Sequence, residues 1–128
     1  MSTERLSRIM AFPLIFMGVL HFAAPKPFDA LIPDEIPADK RTLTYASGVA
    51  EAVIGGGLLF RRTRRLAAAG AAALFIAVFP ANINMVRLWQ DKPAWMKAIA
   101  WLRLPLQIPM VLAAVKVYRG SKVEAEAS

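Results

Sequence analysis

Residues 66–89 read "LAAAGAAALFIAVFPANINMVRLW". The first half is apolar on every face, where a helix on the surface of a soluble protein would carry a single apolar stripe. The whole stretch exceeds the roughly 20 residues that a helix needs to cross the hydrocarbon core of a bilayer. It therefore reads as a membrane span, and the chain as an all-α integral membrane protein. Its second half then poses a problem, because Pro80, Asn82, Asn84 and Arg87 follow one another closely. Polar groups at membrane depth are costly unless they face other helices and find partners there.

The rest of the chain agrees with a membrane assignment. Of its 128 residues, 57% are hydrophobic and only 20% charged, and the mean hydropathy is +0.45. A soluble domain of this length cannot hide that much apolar surface. Three further segments resemble the first, giving expected spans at 6–24, 43–60, 66–89 and 98–118. The expectation is one domain over 1–128, a four-helix bundle, with a short disordered tail at 119–128. Arg5 and Arg8 before the first apolar run imitate a secretory signal, but Pro25 disfavours cleavage after Ala24, so a retained span is expected.

Charge sets the orientation. Arg61, Arg62, Arg64 and Arg65 crowd the turn between the second and third spans and mark it as cytoplasmic. Both termini then lie on the cytoplasmic side as well, with Lys116, Arg119 and Lys122 near the C-terminal end. The net charge of +7 comes in short clusters between apolar runs, the pattern of loops facing anionic lipid, and argues against nucleic-acid binding. Trp89, Trp95 and Trp101 fall at the outer ends of spans three and four, where an aromatic belt belongs. The outer loop holds Pro25, Pro27, Pro33 and Pro37, which leave room only for a short helix near residues 28–32.

Placed by depth, the polar residues converge. Glu51 lies roughly 12 Å below the outer end of its span, at 1.5 Å per residue. His21, Asn82, Arg103 and Gln107 enter the same outer half from the other helices, and Tyr45 stands above Glu51 on a stripe shared with Gly48 and Gly55. Glu51 and Arg103 are the expected ion pair. Asn82 and Asn84 are about 200° apart on a helix, so Asn82 is taken as the inward residue and Asn84 as turned to a neighbouring helix or the interface. Pro80, Pro105 and Pro109 free backbone carbonyls, which a polar pocket would satisfy. The expectation is a small pocket opening outward and lined by His21, Tyr45, Glu51, Asn82, Arg103 and Gln107. A purely structural hydrogen-bond network is the alternative. The chain has no cysteine, which removes thiol chemistry, and one His with one Glu leaves a metal site short of ligands. No catalytic residue is assigned.

The stretches "MGVLHFAAPKPFDALIPDEIP", "YASGVAEAVIGGGLL" with the arginine turn, "FPANINM" and "RLPLQ" resemble the DoxX-like family of small bacterial membrane proteins. The resemblance implies a four-helix bundle in the bacterial inner membrane and places His21, Glu51, Asn82, Arg103 and Gln107 in family-like motifs. That family is functionally mixed: some members are similar to a thiosulfate–quinone oxidoreductase subunit, and others associate with oxidative-stress enzymes or assemble membrane partners. The leading expectation is an accessory subunit of a membrane redox or stress system that binds a quinone or another small lipophile. Its expected partners are the bilayer and either a membrane redox protein or a second copy. An assembly factor or scaffold is the alternative. A solute carrier is disfavoured by the apolar inner half.

Overall fold

Short polar signals set the helix ends. In the computed structural model, residues 2–127 are described, with side chains through Val123. The elements are α1 (Thr3–Ala23), α2 (Pro25–Leu31), α3 (Lys40–Leu58), α4 (Arg61–Ala77), α5 (Phe79–Leu88) and α6 (Ala94–Ala127), with no strand among the described residues. Ser2 starts α1 by accepting from the Arg5 amide at 3.1 Å, and Asp39 starts α3 by accepting from the Thr42 amide at 2.9 Å. Each satisfies one of the amides that a helix N-terminus leaves open. Pro25 ends α1 and opens α2, where its missing N–H costs nothing. The last carbonyls of α3 are claimed by side chains. Thr63 Oγ1 donates to Gly57 O at 2.7 Å, Arg64 Nε donates to Leu58 O at 3.2 Å, and the Ser7 hydroxyl donates to Leu58 O. Arg64 is thus buried and caps a helix, which its place in the arginine run did not suggest.

The long helices close a ring. α1 packs on α3, α3 on α4, α4 and α5 on α6, and α6 returns to α1. The chain termini and the α3–α4 turn share one end, where Arg65 Nη2 donates to the Tyr118 hydroxyl at 3.3 Å. α2 and the C-terminal end of α5 share the other, where Arg87 of α5 pairs with Glu35, in the loop after α2, at 3.3 Å. The apolar core fills the half nearer the termini: Ala11, Leu14, Leu58, Ala67, Ala68, Ala71, Phe75, Ala114 and Val117. The buried polar residues His21, Glu51, Asn82, Asn84 and Gln107 lie beyond it.

α1, the stretch Arg61–Leu88 and the stretch Ala94–Val123 are each long and apolar enough to cross a membrane. α3, expected as a span, has 19 residues but does not join them, since Lys40, Arg41, Ser47 and Glu51 lower its hydropathy. It lies between α1 and α4, so much of its surface meets protein. The expected third span is broken at Val78, where α4 stops and α5 restarts with Pro80 in its first turn. The short outer helix forms, one turn earlier than 28–32. The expected disordered tail is instead helical through Ala127, because Lys122, Val123, Glu124 and Ala125 contain no breaker; Ser128 and the side chains beyond Val123 lie outside the described residues.

Packing between α1 and α3 depends on missing side chains. A Cβ on Gly18 would lie 2.7 Å from the Gly48 carbonyl oxygen and 2.9 Å from the Ala52 nitrogen. Both are backbone atoms on the facing helix and cannot swing aside. A Cβ on Gly56 would meet nothing within 4 Å. Gly18→Ala is therefore expected to destabilise the protein by about 1–3 kcal/mol through overpacking. Gly56→Ala should be neutral or slightly stabilising. Thermal unfolding of the two variants in detergent checks this contrast.

Candidate functional site

The glycine contact brings His21 and Glu51 together. His21 lies three residues after Gly18 and Glu51 three after Gly48, so each occupies the contacting face of its helix. His21 Nδ1 is 3.6 Å from Glu51 Oε2 and 2.6 Å from the Met17 carbonyl oxygen. A carbonyl only accepts, so Nδ1 carries the proton and donates to Met17. The expected Glu51–Arg103 ion pair does not form. Arg103 Nη1 instead donates to Met85 Sδ at 3.5 Å, a long bond to a weak acceptor.

Glu51, Arg103 and Gln107 nevertheless border one cavity of about 480 Å³. α1 supplies one wall with Leu6, Ile9, Met10, Pro13, Leu14 and Met17; α4 and the Val78 break supply the floor with Leu74, Phe75 and Val78. Leu106, Pro109, Met110 and Ala113 of α6 form the other wall. Ile9, Pro13, Leu106 and Met110 on the rim are exposed, so the cavity is a cleft opening sideways between α1 and α6. It does not open outward as expected, because α2 covers that end. Phe28 stacks on His21 with ring centroids 3.9 Å apart, and Asn84 Nδ2 donates to Leu31 O at 2.9 Å. The latter satisfies a carbonyl that the end of α2 leaves open.

The remaining expected site residues separate. Tyr45 lies outside the cleft, 36% exposed, stacked on Phe22 at 4.9 Å and beneath the Arg41 guanidinium at 5.8 Å. Its position on the stripe with Gly48 and Glu51 is close to the boundary of the buried face, and its ring turns to the outside. Asn82 is buried, with Nδ2 lacking a hydrogen-bond partner, but it does not border the cleft. His21 stands behind Glu51 rather than on the cleft wall. Gln107 and Phe75 also border a second groove of about 550 Å³ on the far side of α6, beside Ile76, Phe79, Pro80 and Ile108. The apolar cleft walls on α1 and α6 escaped the sequence reading, because an exposed Leu or Met and one lining a cleft look alike in sequence. Among the described residues, no group of three His, Asp or Glu side chains converges as a metal site would require.

Residues 10–118 match a family of domains of unknown function, DUF8561. The chain belongs to the DUF8561 family. No curated protein and no solved structure matches it. The family match takes in Glu51, Arg103, Gln107 and all of α2, so the cleft and its cover fall inside the DUF8561 domain.

The cover is held by Asp29. Its carboxylate accepts from Arg41 Nε at 2.8 Å and from the Thr44 hydroxyl, tying α2 to the start of α3. The Thr44 hydrogen bond foremost, and then Arg41, hold the Asp29 pKa below its usual 3.8. A carboxylate with a depressed folded pKa contributes stability that is present above its unfolded pKa and lost as pH falls through the folded value. Asp29→Asn should therefore speed amide exchange across 25–31 near neutral pH. The gap from wild type should close once the pH falls well below 3.8, which hydrogen-exchange mass spectrometry at both pH values checks.

Proposed function

We propose that this DUF8561 chain is a multi-pass membrane protein that binds a small lipophile through the α1–α6 cleft, as an accessory subunit of a membrane redox or stress system. The observation that carries the reading is a cleft with apolar walls that reaches the buried Glu51 and Gln107 and the half-buried Arg103. Pockets that hold small ligands combine predominantly apolar walls with a few placed polar groups. The cleft is open along its side, which suits a ligand that arrives from within a bilayer rather than from water. A quinone is one candidate of this class.

Membrane residence is supported by how the chain distributes its side chains. Phe12, Phe16, Val53, Leu66, Ile76, Trp95, Trp101 and Leu112 are all more than half exposed, while the interior takes Ser7, Ala11, Ala68 and Ala71. Many large apolar groups outside, with small residues at several close helix contacts inside, is an arrangement found in helices packed in lipid. In the proposed orientation, in a bacterial inner membrane, the Arg61–Arg65 turn and both termini face the cytoplasm. α3 crosses with the other helices because it is packed among them.

A scaffold for a partner membrane protein is supported less well. The small-residue faces that would dock a partner helix are already used within the chain, since Gly18, Gly48 and Gly55 meet α1 or α3 at backbone distance.

Two measurements test the proposal. Purified protein in lipid nanodiscs is expected to take up a decyl-substituted benzoquinone or its hydroquinone saturably, at about one per chain, and Ala113→Phe should weaken that uptake by blocking the cleft. If neither compound saturates, the binding reading fails. Cysteines introduced at Thr63 and Asp34 should label from opposite sides of sealed vesicles. Labelling from the same side contradicts the orientation.

A further inference from the structure

The cleft has a direction. On α6 it runs from Arg103 to Ala113 and on α1 from Met17 to Leu6, roughly 15 Å in each case at 1.5 Å per residue. All its polar side chains lie in the half nearer Arg103, with Gln107 roughly 6 Å in at the same rise per residue, and it is bounded by two neighbouring helices that run alongside each other. One linear tail lying parallel to the helices fits such a slot, with its head among Glu51, Arg103 and Gln107.

The polar end also constrains the head. Gln107 Oε1 is buried with no hydrogen-bond partner, in a residue only 7% exposed, whereas Glu51 Oε2 turns back towards His21 Nδ1 at 3.6 Å. Buried polar atoms are almost always paired, so the Gln107 oxygen points to something that donates. Arg103 faces the same cleft and has one donor directed at a thioether, which leaves it able to serve an acceptor. A hydroxyl meets both demands, with one O–H to give and two lone pairs to receive. A ketone, quinone or ether oxygen would serve Arg103 and leave the Gln107 oxygen orphaned. Glu51 and Arg103 border this cleft and not the second groove, which places the head on the α1 side of α6.

Resting on the lipophile-binding reading above, we propose that the occupant is a single-tailed amphiphile with a hydroxyl head, an alkylphenol or hydroquinone type of ligand, whose O–H donates to Gln107 while its oxygen accepts from Arg103.

The test uses two probes that differ by one methyl group. Full-length protein in nanodiscs is titrated with 4-dodecylphenol and with its O-methyl ether, and uptake by protein-free nanodiscs is subtracted. The phenol is expected to bind saturably and about tenfold more tightly than the ether, the worth of one buried hydrogen bond. Gln107→Leu should bring the phenol down towards the ether while leaving ether binding unchanged, which also shows that the variant is folded. Equal binding of phenol and ether to the wild type overturns the hydroxyl assignment and leaves the lipophile reading standing. If neither probe saturates, the lipophile reading falls with it. A phenol preference that survives unchanged in Gln107→Leu overturns the assignment of the head to this end of the cleft.

Discussion

The close approach of α1 and α3 at Gly18 and Gly48 is the constraint on which the rest depends. With backbone facing backbone, His21 and Glu51 are forced into each other's neighbourhood one turn further along. The tight α1–α3 seam also decides where the bundle is loose. α6 joins α1 with less intimate packing, and the space between them is the cleft. A ring of helices with one tight seam and one open seam is a simple way to make a site whose door faces sideways.

The polar groups are divided between two tasks. Asn84, Arg64, Thr63 and Ser7 satisfy helix-terminal carbonyls and hold the frame. Asp29 fastens α2 across one end. Glu51 turns to His21, and Gln107 does neither task, keeping a buried oxygen without a hydrogen-bond partner on the cleft. A network that served only to fix helix register would close its own hydrogen bonds. The Gln107 oxygen on the cleft wall, beside an Arg103 whose one hydrogen bond goes to a thioether, is the physical basis for treating the cleft as a place for something else.

Much of this was legible in the sequence, and the misses have identifiable causes. The long apolar runs gave the helices, but the third span was expected to run unbroken over 66–89, and the break at Val78 ahead of Pro80 is a finding of the structure. Asn84 turning to a neighbouring helix follows from the rotation between i and i+2, and the structure puts it on α2. The partner of Glu51 was missed because depth alone ranks Arg103 and His21 equally, whereas the Gly18–Gly48 contact chooses His21. Tyr45 shares the spacing of Gly48 and Glu51 but lies near the edge of the buried face, and spacing does not show which way a ring turns. The sideways cleft was missed for a different reason. Its walls are leucine, isoleucine and methionine, whose sequence signature is the same on a cleft wall and on an outer surface, and only the unequal packing of α1 against α3 and α6 tells them apart.

The account stands or falls on whether the α1–α6 seam is open and occupied when the protein sits in lipid. A density map of the protein in nanodiscs loaded with native lipid extract tests this most directly. The predicted result is one rod of density between α1 and α6, running from Ala113 to a compact head within hydrogen-bonding reach of Gln107 and Arg103. The contradicting result is a seam closed by side chains of α1 and α6, with Gln107 paired to groups of the protein itself.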